Sequence, residues 1–508
     1  YHSPHQGIHR KAKSPLLNPS PSGPIGSGDG ASSGLLSTYN PNGFFCELFE
    51  QRASQPDVGQ IWQRLNEMDN ASLRRRTRLA DQELFNLGIT FTVYTERDAI
   101  DRVLPFDVIP RILTADDWRR IQTGVEQRVQ AINLFLRDIY NEEHIFRDGV
   151  VPAALVKRNS QYRKEMQGFV PARGVYAHIA GIDIVRSDTG DFMVLEDNAR
   201  TPSGVSYVIE NRHLMMRAFP DLAEGITIAD VDDYGRQLAR ALRAVGPQGM
   251  TDPNVVVLTP GMFNSAYFEH IFLAREMGVP LVEGRDLIVE DDRVYMRTIA
   301  GLAPVHVIYR RIDDDFLDPE TFRKDSILGV PGLFKAYRKG NVTITNAVGT
   351  GAADDKALYA YMPRIIRYYL DQEPILNNVE THICDEADGL SYTLDNLSKL
   401  VTKPVGGSGG YGVVVGPHAS KRVLRDLERQ LKADPSNFIS QPMIKLSVAP
   451  TLTRQGVEPR HVDLRPFAVT GDGTWVLPGG LTRVALKRGS LVVNSSQGGG
   501  SKDTWVLA

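Results

Sequence analysis

Three oxygen-bearing side chains, Asp183, Glu196 and Asn198, fall within one short stretch of this 508-residue chain. Carboxylate and amide oxygens are hard donors of the kind Mg2+ accepts. The stretch 178–207 carries an apolar run through Ile182 and Ile184, the turn-forming Asp188-Thr189-Gly190-Asp191, and a second run from Phe192 to Leu195. That is the pattern of two antiparallel strands joined by a short loop. If the loop sets the register, Asp183 stands opposite Glu196; alternation then puts Glu196 and Asn198 on one face and Asp197 on the other. Opposed residues have Cβ atoms about 5 Å apart, so the three side chains can converge on one cation. Acids that close repel unless neutralised, and Mg2+ with nucleotide phosphates is a common neutraliser. A surface hairpin with solvated acids is the other reading open at this point.

A second set of residues suits phosphate. Lys403 precedes Gly406, Gly407, Ser408, Gly409 and Gly410, and Val413 to Val415 follow. Gly407, Gly409 and Gly412 match the spacing of the dinucleotide fingerprint, but that motif opens a helix and a valine run follows here. Strand, glycine loop, strand is instead a flap whose backbone N–H groups can close over phosphates, with Lys403 supplying charge. A merely flexible hairpin is the alternative. Lys356 lies in the first turn of an expected helix over 354–371, where a cation is unfavourable unless it serves an anion. Arg310 and Arg311 end an expected strand, at the edge where α/β sheets hold ligands. Paired guanidiniums suit phosphate or carboxylate, and salt bridges to Asp313, Asp314 and Asp315 compete for them. Phe438 to Ile444 reads as a strand leading into an irregular segment, and such a segment can offer free backbone groups to an adenine edge. In His461 to Phe467, alternation aims Asp463, Arg465 and Phe467 at a common cleft.

The elements that must position these groups are legible in part. Trp118, Ile121, Val125, Val129, Ile132, Leu136 and Ile139 recur at helical spacing, with Thr114 a candidate N-cap. Asn254 to Leu258, a Thr259-Pro260-Gly261 turn, a helix over 265–277 and further short strands to Tyr309 indicate an open α/β sheet. Residues 1–40 are rich in Pro, Gly and Ser and read as a mobile tail. The chain begins at Tyr1 without an initiator Met, so it reads as trimmed and a lost leader stays open. With 42% hydrophobic residues, the rest is long enough for two to four globular domains. A net charge of -3 leaves no footprint for nucleic acid. No apolar run approaches the length of about 18 residues that spans a membrane. Two cysteines, Cys46 and Cys384, are too few for a disulfide framework and fit a cytoplasmic protein. No GxxxxGK[ST] occurs, which disfavours a P-loop enzyme.

Taken together, Lys403 with its glycine flap, the linker to Ile444, Arg465 and the D…ExN set resemble an ATP-grasp ligase. In that family the lysine and flap usually come before D…ExN; here the hairpin precedes Lys403 by about 200 residues. The chain is therefore similar to the circularly permuted ATP-grasp type 2 family, related to the synthetase domain of glutathionylspermidine synthase. The segments GITFTVY, PFDVIPRIL, LEDNARTPSGVSY, VIYRRIDDDFLDP and SQGGGSKDTW resemble that group's block motifs. The synthetase carries an arginine two positions before its first metal-binding aspartate. Position 181 here is glycine, so its thiol-peptide and polyamine substrates are not carried over.

The resemblance implies an α/β (α+β elements) circularly permuted ATP-grasp fold with a Rossmann-like pre-ATP-grasp domain. The expected layout is a tail over 1–40, a hairpin-bearing part over 41–250, a Rossmann-like domain over 251–345 and a nucleotide-binding part over 346–508. It implies ATP and Mg2+, an acyl phosphate, and small-molecule or peptide carboxylate and amine substrates. Asp183, Glu196 and Asn198 would hold the metal; Lys356, Lys403, Gly406 to Gly410, Gln441, Met443 and Ile444 the nucleotide. Arg465, Arg200 and Arg310 would serve catalysis, and Ser203, Gly204, Arg311 and Arg483 the substrate. A nucleotide-binding scaffold without turnover and an ATP-dependent phosphotransferase are the competing functions.

Overall fold

Strand pairing joins the two ends of the chain. The computed structural model describes residues 34–86, 88, 90–94, 99–103, 105–406, 412–490, 493 and 499–508. Its largest unit is a ten-stranded mixed sheet. The hairpin strands Ile179–Arg186 and Phe192–Asn198 lie beside Gly456–Arg465, then Leu481–Val484, Gly500–Val506 and Phe106–Leu113. Leu464 pairs with Ile184 and Ser501 with Phe106, so strands from before residue 200 alternate in space with strands from after 450. Helix Ala115–Ile139 packs its whole expected apolar stripe into the main core. The Thr114 hydroxyl caps it by accepting the Asp117 N–H at 3.2 Å, a contact worth about 1 kcal/mol. Helix Lys356–Leu370 packs on that helix and runs through Pro363 as one element.

Four smaller sheets complete the described residues, the smallest an antiparallel pair of Thr90–Tyr94 with Ala99–Val103. A four-stranded sheet in the order Thr343–Thr345, Val307–Arg310, Val255–Leu258, Leu281–Val282 is parallel throughout, with helix Tyr267–Met277 as a crossover. Its central strands are fully buried, as all-parallel strands must be. A three-stranded meander spans Leu287–Glu290, Arg293–Thr298 and Gly301–Val305. The last sheet is antiparallel, His382–Ile383, Phe438–Pro442, Leu400–Pro404, Val414–Val415, over its own cluster of Cys384, Leu397, Leu427, Leu431 and Phe438. The architecture is thus α/β with a Rossmann-like unit beside a mixed core.

One boundary differs from expectation. Of the stretch read as a tail, residues 1–33 lie outside the described residues, but 34–40 are packed. Leu36 and Tyr39 are buried, and the Tyr39 ring stands 6.2 Å from Phe49 and 6.3 Å from Trp62. Two apolar side chains suffice there because helix Pro56–Glu67 presents an apolar face to receive them.

Candidate active site

The hairpin register puts Asp183 against Glu196 and Gly181 against Asn198, with an irregularity just after Asp183. Asp197 points to the opposite face, buried, where Arg128 holds both its oxygens at 2.5 and 2.8 Å. On the chemical face, Arg465 grips Asp183 with Nε at 2.5 Å and Nη2 at 2.9 Å. Arg483 Nη2 reaches the same carboxylate at 2.8 Å and also chelates Asp463, its cross-strand partner. Burial alone would raise the Asp183 pKa, but the two guanidiniums outweigh it and hold the carboxyl well below its ordinary range. Arg483, also buried, is held above its ordinary range by Asp183 and Asp463.

Gly181 makes this grip possible. A Cβ there would stand 3.1 Å from Arg465 Cδ and 3.1 Å from Pro202 Cβ, so the Arg465 stem crosses the hairpin over a bare backbone. A side chain at 181 would push the guanidinium off Asp183.

Glu196 meets Lys356 at 2.8 Å. Lys356 opens its helix just behind Asp355, whose carboxylate caps the Ala357 and Leu358 N–H groups. Lys403 comes from the small antiparallel sheet and donates to Gln441 Oε1 at 2.6 Å, while Gln441 donates on to Thr381 at 2.9 Å. Burial and the neighbouring Lys356 pull the Lys403 ammonium down to about 8, against Glu196 and Asp183, which raise it. The large and small sheets therefore face each other across these charges.

Asp354 is a member that sequence reasoning missed. It accepts the Ala199 and Arg200 N–H groups at 2.6 and 3.1 Å, just past the hairpin. Burial pushes it up to about 7 against the pull of Arg200 and those amides, with Glu196 adding to the rise. The available signal was the doublet Asp354-Asp355 before Lys356, of which a helix cap uses only one. Arg200 itself lies 3.3 Å from Asp313 and 3.6 Å from Asp354.

Other expected residues lie elsewhere. Arg310 does not face a ligand: it is fully buried, paired with Asp314 at 2.7 Å and donating to the carbonyls of Asn346, Ile312 and Ala347. Of the two competing uses of the arginine pair, the core has taken Arg310. Arg311 is turned to the other face, as alternation requires, and donates to the Pro202 carbonyl and the Ser203 hydroxyl. It also meets Glu269 at 3.1 Å, whose other oxygen accepts the Gly204 and Ser206 N–H groups at 2.6 and 3.2 Å. A guanidinium and a helix N-terminus make a carboxylate cradle, and the chain's own Glu269 fills it. Glu269 was not legible, because nothing in the helix Tyr267–Met277 sets it apart from the helix's other charged residues, Arg275 and Glu276. Met443 is exposed and Ile444 half-buried in the irregular segment after Pro442; Gly406 is exposed. Gly407, Ser408, Gly409 and Gly410 lie outside the described residues.

Asp183, Glu196 and Asn198 carry the oxygen donors that Mg2+ takes, but Asp183 is held by Arg465 and Arg483 and Glu196 by Lys356, so a cation would have to displace or share these partners. Among the described residues no group of three or more His, Cys, Asp and Glu gathers as a metal cluster. Two carboxylates and an amide leave about half of an octahedron for phosphate oxygens and water, the usual arrangement for Mg2+ with a nucleotide. Asn198 gives its Nδ2 to the Gly181 carbonyl at 3.2 Å, which leaves Oδ1 as its ligand atom. Lys356, Lys403, Arg465 and Arg483 are cations gathered on this face, Arg465 and Arg483 already paired with Asp183 and Asp463.

Comparison with known proteins assigns the family. Residues 110–485 match the model of the circularly permuted ATP-grasp type 2 family. The chain is 50% identical to an uncharacterised protein of Synechocystis sp., over 93% of this chain and 98% of that one. A Mycobacterium tuberculosis protein, also uncharacterised, is 52% identical over 93% of this chain and 86% of its own length. A Frankia alni protein provisionally named a glutamate–cysteine ligase is 42% identical over 93% of this chain, which covers 54% of the Frankia protein. In fold, the chain resembles a glutathione synthetase-like effector of Globodera pallida in its apo form, with a TM-score of 0.58 at 11% identity over 87% of this chain and 98% of that one. The chain belongs to the circularly permuted ATP-grasp type 2 family. No helix among the described residues is long and apolar enough to cross a membrane.

Proposed function

We propose that this chain is a Mg2+-dependent carboxylate–amine ligase that uses ATP to form an amide through an acyl phosphate. The observation that carries the reading is the convergence of Lys356, Lys403 and Arg465 on Asp183 and Glu196 in a member of this family. Lys356 and Lys403 would hold the nucleotide's phosphates, with Gly406 to Gly410 the candidate phosphate-binding segment, and the backbone from Gln441 to Ile444 would meet the adenine edge. Asp183, Glu196 and Asn198 would hold Mg2+, which when bound would supply Lewis-acid stabilisation of phosphate charge. Lys403 and Lys356 neutralise that charge from the protein side. Arg465, fixed by Asp183, stabilises the acyl phosphate and the oxyanion formed by amine attack, with Arg200 at the rim. The attacking amine must lose a proton, and Asp354 near pH 7 is matched to take it. Ser203 and Gly204, braced by Arg311 and Glu269, frame the acceptor carboxylate, and Arg483 is the brace of Asp183. The unit over 251–345 flanks this cleft, the parts over 41–250 and 346–508 form it, and two buried free thiols suit a cytoplasmic enzyme.

The test is product analysis with ATP, Mg2+ and panels of amino acids and small peptides. Ligation gives ADP and phosphate in proportion to added amine, and hydroxylamine traps the acyl phosphate as a hydroxamate. ADP with a phosphorylated acceptor would make the protein a phosphotransferase, and tight ATP binding without turnover would make it a scaffold.

A further inference from the structure

A cavity of about 1000 Å3 opens at the amino ends of the parallel strands, where His306 precedes Val307–Arg310 and Val342 precedes Thr343–Thr345. The ligation chemistry uses none of it. Arg173, Arg240, Arg243, Arg293 and Lys339 line it with His306, and no Asp or Glu is among its lining residues. Arg173 and Lys339 have carboxylate partners, Asp472 and Asp292. Arg240, Arg243 and Arg293 form no ion pair with any described residue, although the chain as a whole carries net negative charge. Like charges gathered around one space repel until an anion enters it. His306 Nδ1 accepts the Asn254 N–H at 2.9 Å, which fixes the tautomer with a proton on Nε2 and leaves a neutral donor.

We propose that this cavity is a second anion site, which binds a phosphate-bearing small molecule through Arg240, Arg243 and Arg293. Guanidinium forks match phosphate oxygens two at a time. The volume is at the upper end of small-molecule sites, roughly 300–1000 Å3, and exceeds what orthophosphate fills. Tyr295 and Met250 supply an apolar wall for the remainder of such a molecule. The place of the cavity gives it a use. The strand Val307–Arg310 runs from His306 to Arg311, a span of about 17 Å at strand rise, and Arg311 holds the Pro202–Ser203 loop beside the candidate active site. A ligand that tightens one end of this strand bears on the loop at the other.

Calorimetric titration of the full chain with pyrophosphate and with ADP tests the site independently of any turnover. Arg243→Glu/Arg293→Glu changes two exposed side chains, and its melting temperature reports that the fold is kept. The expected result is a pyrophosphate affinity about tenfold or more weaker in this double variant, the scale of lost charge-assisted contacts, and unchanged in Lys403→Ala. In the Lys403→Ala background, ADP binding more tightly than pyrophosphate upholds the site as one for nucleotides, and equal affinity upholds it as one for the phosphate group itself. Equal affinity of the double variant and the parent overturns the proposal, as does binding lost in Lys403→Ala alone, which puts the anion in the catalytic cleft.

Discussion

The two sheets that face each other across the candidate active site hold their charges in different ways. On the large sheet Arg465, Asp183, Arg483 and Asp463 form an unbroken chain of ion pairs between 2.5 and 2.9 Å, nearly all of it out of water. On the small sheet Lys403 has a neutral partner, Gln441, and burial draws its ammonium down to about 8. The first arrangement is complete before any ligand arrives. The second holds a cation whose charge is less favoured than in water, and an added anion would favour it further. The large sheet is therefore the fixed wall of the cleft, and on the proposed function the small sheet is the side that would respond to nucleotide.

The largest effect comes from breaking the fixed wall. Arg483→Met leaves Asp183 and Asp463 facing each other without their shared guanidinium, and removing one partner of a buried pair costs about 3–5 kcal/mol. Urea unfolding should show a loss of that size; a loss below about 1 kcal/mol would mean that the lattice is not the brace. The hairpin acids separate along the same line. Asp183→Asn should lose both stability and turnover because it sits inside the lattice, whereas Glu196→Gln should lose turnover with the melting temperature nearly kept. Next in size is Arg465→Ala. If the guanidinium acts on the transition state, turnover falls by about 10² while ATP affinity falls far less. Arg465→Lys should not rescue, since a point charge cannot reproduce the fork. Equal losses of turnover and ATP affinity would reduce Arg465 to a partner of Asp183.

How far these features could be read in advance follows from their range along the chain. Alternation made the hairpin and the separation of Asp197 from Glu196 and Asn198 legible, but the loop spans five residues between Arg186 and Phe192, and a register shift after Asp183, which no local pattern announces, is what sets Asp183 against Glu196. Thr114 and its helix were legible because their pattern is local too. The grip of Arg465 on Asp183 spans 282 residues and depends on which strands of a permuted sheet are neighbours; no periodicity carries that. The Arg310 assignment failed on a local rule: consecutive strand residues face opposite ways, so Arg310 and Arg311 could not both meet one ligand. The packing of 34–40 was hidden by composition, since three apolar residues, Leu35, Leu36 and Tyr39, among Gly, Ser, Thr and Asn do not announce a docking face.

The responsive side is tested by Lys403. Lys403→Ala should weaken ATP binding by about 1.5–3 kcal/mol, the scale of a charge-assisted contact to phosphate. Stability should hold or rise, because a buried cation without an anion is removed. A stability loss comparable to that of Arg483→Met would erase the difference between the two sheets.

The smallest effect, and the most specific to this contrast, is in pH. The Lys403 pKa is lowered to about 8, whereas the unfolded chain keeps that proton to about 10.4. Between those values the unfolded state binds more protons, so stability should rise with pH across the window. ATP affinity should move the opposite way. Phosphate selects the charged ammonium, so affinity declines above pH 8, approaching about tenfold per pH unit. Asp354 gives the mirror image at lower pH: raised to about 7, it keeps a proton that the unfolded chain releases near 4, so its contribution to stability declines as pH rises from 4 to 7. Calorimetry at a series of pH values separates the two groups, because Lys403→Ala should flatten the decline of ATP affinity above pH 8 and leave the change below pH 7 in place. A decline above pH 8 that survives in Lys403→Ala would assign the titrating cation to another residue and leave the small sheet without its role as the responsive side.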